Sequence, residues 1–155
     1  MRKLLLFTFI ISFLTVGSCS RDEGSNEVSL TEKEYLVKQT IIEFNNSAVK
    51  TGKYHEFINS VAQKSASEPI SPERLEAMIQ EFLGDQARAF LDVYYQLKAL
   101  NLTSEEFRSI ASQFEYLRIN FEVDPSKSFG CCQFGGAGNS RLHDLLDFVC
   151  GCQAE

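Results

Sequence analysis

Tryptophan is absent from this chain, and proline, histidine and methionine are scarce, at three, two and two copies. Thirteen phenylalanines without one tryptophan suit a compact core better than a sugar-stacking aromatic platform. No stretch alternates β-branched and polar residues for long enough to need a sheet. Glycine-x-serine-x-glycine, histidine-glutamate-x-x-histidine, phosphate-loop and calcium-loop patterns are all missing. No repeat recurs at a fixed period. Basic residues are outnumbered fifteen to twenty-one, for a formal charge of −6. Such a balance disfavours nucleic acid, whose phosphates need clustered lysine and arginine, and adhesion to anionic lipid.

What is there begins at the N-terminus, MRKLLLFTFIISFLTVGSCS. Arg2 and Lys3 precede an apolar run from Leu4 to Val16, too short to span a bilayer, where ~20 residues are needed. This is the pattern of a signal peptide. Its end, Val16-Gly17-Ser18-Cys19, resembles the lipobox of bacterial lipoproteins. The resemblance implies removal of residues 1–18 and lipid on Cys19, and several acyl chains make a stable anchor. Losing Arg2 and Lys3 moves the formal charge from −6 to −8. Residues 19–29 are polar and aperiodic and read as a flexible tether. Ser20 after the cysteine resembles outer-membrane sorting, and Asp22 and Glu23 resemble the surface-export signals of Bacteroidota lipoproteins. The expected address is therefore the outer membrane, in its periplasmic or surface leaflet.

The body, residues 30–123, reads as helical. Thr31 and Glu34 form a capping-box pattern, and Thr51-Gly52 closes the first helix, with Leu36, Thr40, Ile41, Phe44, Ala48 and Val49 as its apolar side. A shorter helix from Lys53 to Lys64 follows. Ser71-Pro72 opens a third, expected to run through Gly84 with a local kink, two helices being the alternative. Thr103 and Glu106 make a second capping box, before a stripe of Phe107, Ile110, Ala111, Phe114, Leu117 and Phe121 that ends at Asp124-Pro125. Asn139-Ser140 could cap a last short helix carrying Leu142, Leu145, Leu146 and Val149. The expected fold class is all-α, a small bundle of four to five helices with a disulfide-stapled C-terminal hairpin.

That hairpin lies in a Gly/Cys-rich segment, 124–155. With Cys19 lipidated, Cys131, Cys132, Cys150 and Cys152 remain, an even number in an oxidising compartment. Three connectivities exist. Vicinal Cys131-Cys132 and the tight Cys150-Gly151-Cys152 ring are strained, so two bridges between the pairs are expected, each worth ~3 kcal/mol. A redox couple is the alternative, but the second pair follows a helix C-terminus. That pole, with Asp144 and Asp147 nearby, raises a thiol pKa. Copper held by the cysteines and His143 is the other alternative. His55 and His143 otherwise read as surface or satisfied core residues. No catalytic residue, metal or cofactor is assigned.

Lipobox, acidic helical body and a terminal cysteine cluster together resemble proteins related to the bacteriocin fulvocin C, which implies an antagonism or immunity role. The leading expectation is a non-enzymatic, lipid-anchored helical module. It would present its C-terminal segment to a protein partner, with no nucleic acid involved.

Overall fold

A computed structural model describes residues 30–119 and 140–152. Every regular element among them is helical: α1 (Leu30–Thr51), α2 (Tyr54–Ser67), α3 (Pro72–Leu83), α4 (Ala87–Ala99), α5 (Ser104–Ala111) and α6 (Arg141–Cys150). The all-α expectation holds, with six α-helices among the described residues where four or five were expected.

The additional helix arises at Gly84. Its φ of +51° and ψ of −127° cannot continue a right-handed helix, so a 3₁₀ turn, Gly84–Gln86, separates α3 from α4. The expected long helix is therefore two. A second correction concerns the stripe after Thr103. α5 stops at Ala111 and tightens into a 3₁₀ segment, Ser112–Leu117, with Phe114 off helical geometry at φ −112° and ψ 24°. Asn45 of α1 donates from Nδ2 to the Leu117 carbonyl at 2.7 Å, satisfying a terminal acceptor from outside the helix. Phe121, Asp124 and Pro125 lie outside the described residues.

Local signals hold where both partners lie within one turn. Thr103 accepts from the Glu106 N–H at 3.1 Å, and Glu106 accepts from the Thr103 N–H at 2.8 Å. Ser71 caps α3 by accepting from the Arg74 N–H, with Pro72 in the first turn. Gly52 leaves α1 at φ +65°. Thr31 is not a cap, because α1 already begins at Leu30.

α1 lies along α4 and also meets α5, α3 and α2. At its centre Phe44 meets Phe90 edge-on at 5.5 Å and Tyr54 at 6.4 Å, while Phe90 stacks on Tyr94 at 5.7 Å. Val49 falls outside the core at 59% exposure, whereas Val37 is fully buried. α1 and α5 run alongside in the same direction. Lys33 pairs with Glu106 at 3.1 Å, Lys38 lies 5.6 Å over the Phe114 ring, and Asn45 reaches Leu117.

α6 packs against α5 and α3, and every residue from 141 to 149 is buried. Leu142, Leu145 and Leu146 join the same core as α1–α5. Full burial of such a side chain is worth ~1.5–3 kcal/mol. Although 124–155 reads as a separate segment, α6 is thus part of the bundle's interior.

Candidate functional site

α6 carries four polar residues into that interior: Arg141, His143, Asp144 and Asp147. Burying such groups is costly unless each finds a partner. Asp144 and Asp147, three residues apart, share one side of the helix. Arg108 of α5 reaches both, 3.3 Å from Asp144 and 3.6 Å from Asp147. Arg141 pairs with Asp144 at 3.2 Å and donates to the Ser104 hydroxyl at 2.8 Å. Two arginines thus face two carboxylates between α5 and α6.

The balance is uneven. No group among the described residues donates to Asp147 Oδ1. Burial pushes the Asp147 carboxyl up to about 6, and neighbouring Asp144 adds to the rise. Arg108 opposes the shift but is 43% exposed, so solvent screens its charge.

His143 is committed on both ring nitrogens. The Ile70 carbonyl, 3.1 Å from Nε2, can only accept, so Nε2 carries the hydrogen. In the neutral ring Nδ1 then accepts from the Ser140 hydroxyl at 2.7 Å. Burial lowers its pKa from the ordinary 6.5, against the opposing influence of the Ile70 carbonyl and Asp144. Ser140 stands at the N-cap as expected, but its side chain caps nothing and serves His143 instead. Copper ligation by His143 would have to break one of these contacts.

The other end of α6 explains the Cys-Gly-Cys spacing. The Gly151 N–H donates to the Phe148 carbonyl at 3.0 Å and the Cys152 N–H to the Asp147 carbonyl at 2.9 Å. This is a Schellman turn, and Gly151 supplies its left-handed residue at φ +76° and ψ 24°. Cys150 therefore ends the helix and Cys152 is the second residue beyond it. Both are disulfide-bonded. Cys131, Cys132 and the predicted lipidation residue Cys19 lie outside the described residues, and the pairing with them.

A cation also stands at this end. Arg118 donates from Nε to the Phe148 carbonyl at 3.0 Å and lies 5.3 Å over the Phe148 ring. A Cβ on Gly151 would sit 3.3 Å from Arg118 Nη1. The electrostatic picture read from α6 alone is corrected here. Both carboxylates have arginine partners, and a guanidinium sits at the negative pole of the helix. The contacts of Arg108 and Arg118 with α6 carried no sequence signal, because their partners there stand 30 or more positions away.

One further concavity, about 300 Å³, lies beside α1 and α5 and is lined by Lys33, Thr103, Glu105, Glu106, Ser109 and Ile110. Thr103 and Glu106 are spent on the capping box, and Lys33 on its pair with Glu106. Among the described residues no group of three or more His, Cys, Asp or Glu side chains could hold a metal ion. His55 is exposed on α2, edge-on to Tyr54 at 6.2 Å. No helix among the described residues is long and apolar enough to cross a membrane.

Compared with known proteins, the chain matches no family model, no curated protein and no solved structure.

Proposed function

We propose that this protein is a non-enzymatic lipoprotein of the outer membrane, anchored through Cys19, that holds a disulfide-fixed C-terminal segment for a protein partner. The observation that carries the reading is the state of α6. Residues 141–149 are buried, its carboxylates are paired with Arg108 of α5, and its last turn is closed by Gly151 and Arg118. A helix fixed in this way suits a support for the cysteines it ends on. Its histidine and Asp144 are engaged in holding the helix, which leaves them poorly suited to acid–base work. The lipobox supports the anchor, and the oxidised state of Cys150 and Cys152 supports bridges to Cys131 and Cys132.

The test is intact mass and non-reducing peptide mapping on protein purified from membranes without reductant. The expected result is a Cys19 peptide carrying acyl chains, and two bridges joining Cys131 and Cys132 to Cys150 and Cys152. A Cys19→Ser variant should leave the membrane fraction. Free thiols or bound copper at the four cysteines would transfer the reading to metal or thiol chemistry. Release of the C-terminal segment with inhibition of neighbouring bacteria would transfer it to antagonism.

A further inference from the structure

Large apolar side chains at the surface are few among the described residues: Tyr35, Val49, Tyr95 and Tyr116. Tyr95 has a local explanation, since its hydroxyl donates to Glu76 at 2.6 Å. Tyr35 and Tyr116 make no such bond among the described residues and are 59% and 69% exposed. They belong to one region. Tyr35 and Lys38 are three residues apart on α1 and share a side of that helix. The Lys38 ammonium lies 5.6 Å over the Phe114 ring, and Phe114 meets Tyr116 edge-on at 6.3 Å. An aromatic and lysine strip therefore runs across α1 and the 3₁₀ segment after α5.

We propose that this strip, Tyr35, Lys38, Phe114 and Tyr116, rests on the lipid bilayer interface and sets the orientation of the bundle at the membrane. The proposal depends on the lipid anchor at Cys19 put forward above. Tyrosine and lysine suit that position chemically. A tyrosine ring enters the boundary of the acyl region while its hydroxyl stays among headgroups, and a lysine stem lies along apolar surface with its ammonium in water. The chain's connectivity favours the same occupant. Residues 19–29 stand between the anchor and α1, and at full stretch they reach about 40 Å. Tyr35 and Lys38 lie in the first three turns of α1, close to where that tether joins the bundle.

Charge is compatible locally, though not over the whole body. Glu115, between Phe114 and Tyr116, is paired with Arg118 at 3.4 Å, and Lys38 is cationic. The charge of −8 on the mature chain opposes adhesion over a broad surface and confines contact to such a strip.

The absence of tryptophan makes the test direct. Three variants of the full lipidated protein, Tyr35→Trp, Tyr116→Trp and Tyr95→Trp, each carry a single tryptophan reporter. They are purified from membranes and reconstituted into vesicles of phosphatidylethanolamine with a minority of phosphatidylglycerol. Brominated phospholipid then quenches any tryptophan at the interface. The expected result is a blue shift and loss of most emission at positions 35 and 116, with little loss at 95. Protein that floats with the vesicles but shows equal quenching at all three positions overturns the membrane contact alone, leaving the strip for a protein partner. Protein that fails to float overturns the anchor, and the membrane contact with it.

Discussion

Arg118 and Phe148, thirty positions apart, make a double contact. The guanidinium Nε donates to the Phe148 carbonyl at 3.0 Å, and the same group lies 5.3 Å over the Phe148 ring. One side chain thereby satisfies a terminal acceptor of α6, complements the helix dipole and stacks on an aromatic face. Arg118→Ala removes all three and should cost about 1–3 kcal/mol in urea unfolding. Arg118→Lys keeps the charge without the planar fork and should recover only part of that loss.

Gly151 sits against the same guanidinium. Gly151→Ala places a methyl 3.3 Å from Arg118 Nη1 on a residue held at φ +76°. A left-handed conformation costs ~1–2 kcal/mol for a residue with a Cβ, and displacement of Arg118 adds to it. A substitution this small should lower the urea midpoint about as far as Arg118→Ala does. An unchanged midpoint would mean that the Schellman turn contributes nothing to the docking of α6.

Arg108 should behave as the hub of the α5–α6 charges. Its loss leaves Asp144 with Arg141 alone and Asp147 with no partner among the pairs described. Because Arg108 is partly exposed, Arg108→Ala should cost more than the ~1 kcal/mol of a surface pair and less than the ~3–5 kcal/mol of a buried one. Adding Asp147→Asn to that variant should cost less than the two changes summed, a coupling that a double-mutant cycle reads directly. Strict additivity would remove Arg108 from this role.

Acid should act on α6 in two opposed ways. His143 has a lowered pKa in the fold, so its contribution is complete above 6.5 and is lost as pH falls through the folded value. Asp147 has a raised one, about 6 against the ordinary 3.8. Its protonation therefore favours the fold, a contribution complete below 3.8 and lost as pH rises through 6. Urea midpoints taken from pH 7.5 down to 4.5, with disulfides intact, should separate the two. His143→Gln should reduce the loss that begins near 6.5, and Asp147→Asn should remove the gain below 6. Profiles parallel to the unaltered protein would contradict both assignments.

Leu145 is fully buried in α6 and shares the core with α1–α5. Leu145→Ala should destabilise the whole protein by about 2–5 kcal/mol, as cavities in a shared core do. Near-UV circular dichroism and far-UV helicity should be lost in one transition. Loss of α6 alone in an earlier step would make it an appendage.

Signals that act within four residues were legible in the sequence, because both partners sit on one turn of helix. Thr103 with Glu106, Ser71 with Pro72, and Gly52 after Thr51 all predict helix ends that the fold uses. The apolar period of Leu142, Leu145, Leu146 and Val149 likewise predicts α6. Gly84 was visible as a flaw, yet whether a glycine kinks a helix or breaks it depends on the φ that packing imposes, and here it is +51°. Thr31 shows the reverse: its capping pattern is present, but Thr31 already lies inside α1.

Residue pattern alone was enough for the all-helical fold of the described residues, the acidic charge and the signal-like start that motivates the anchor. Tertiary structure decided the fate of the polar side of α6. Arg108 with Asp144, Arg118 with Phe148 and His143 with Ile70 join positions 30 to 73 residues apart. Periodicity and capping rules are blind to pairs at that distance: on them the two carboxylates read as charge that raises a nearby thiol pKa, and the histidine as a surface or satisfied core residue. Burial decides the rest: once α6 lies inside the bundle, each polar group needs a partner, and Ile70 before α3, residues of α5 and the chain after α5 provide most of them.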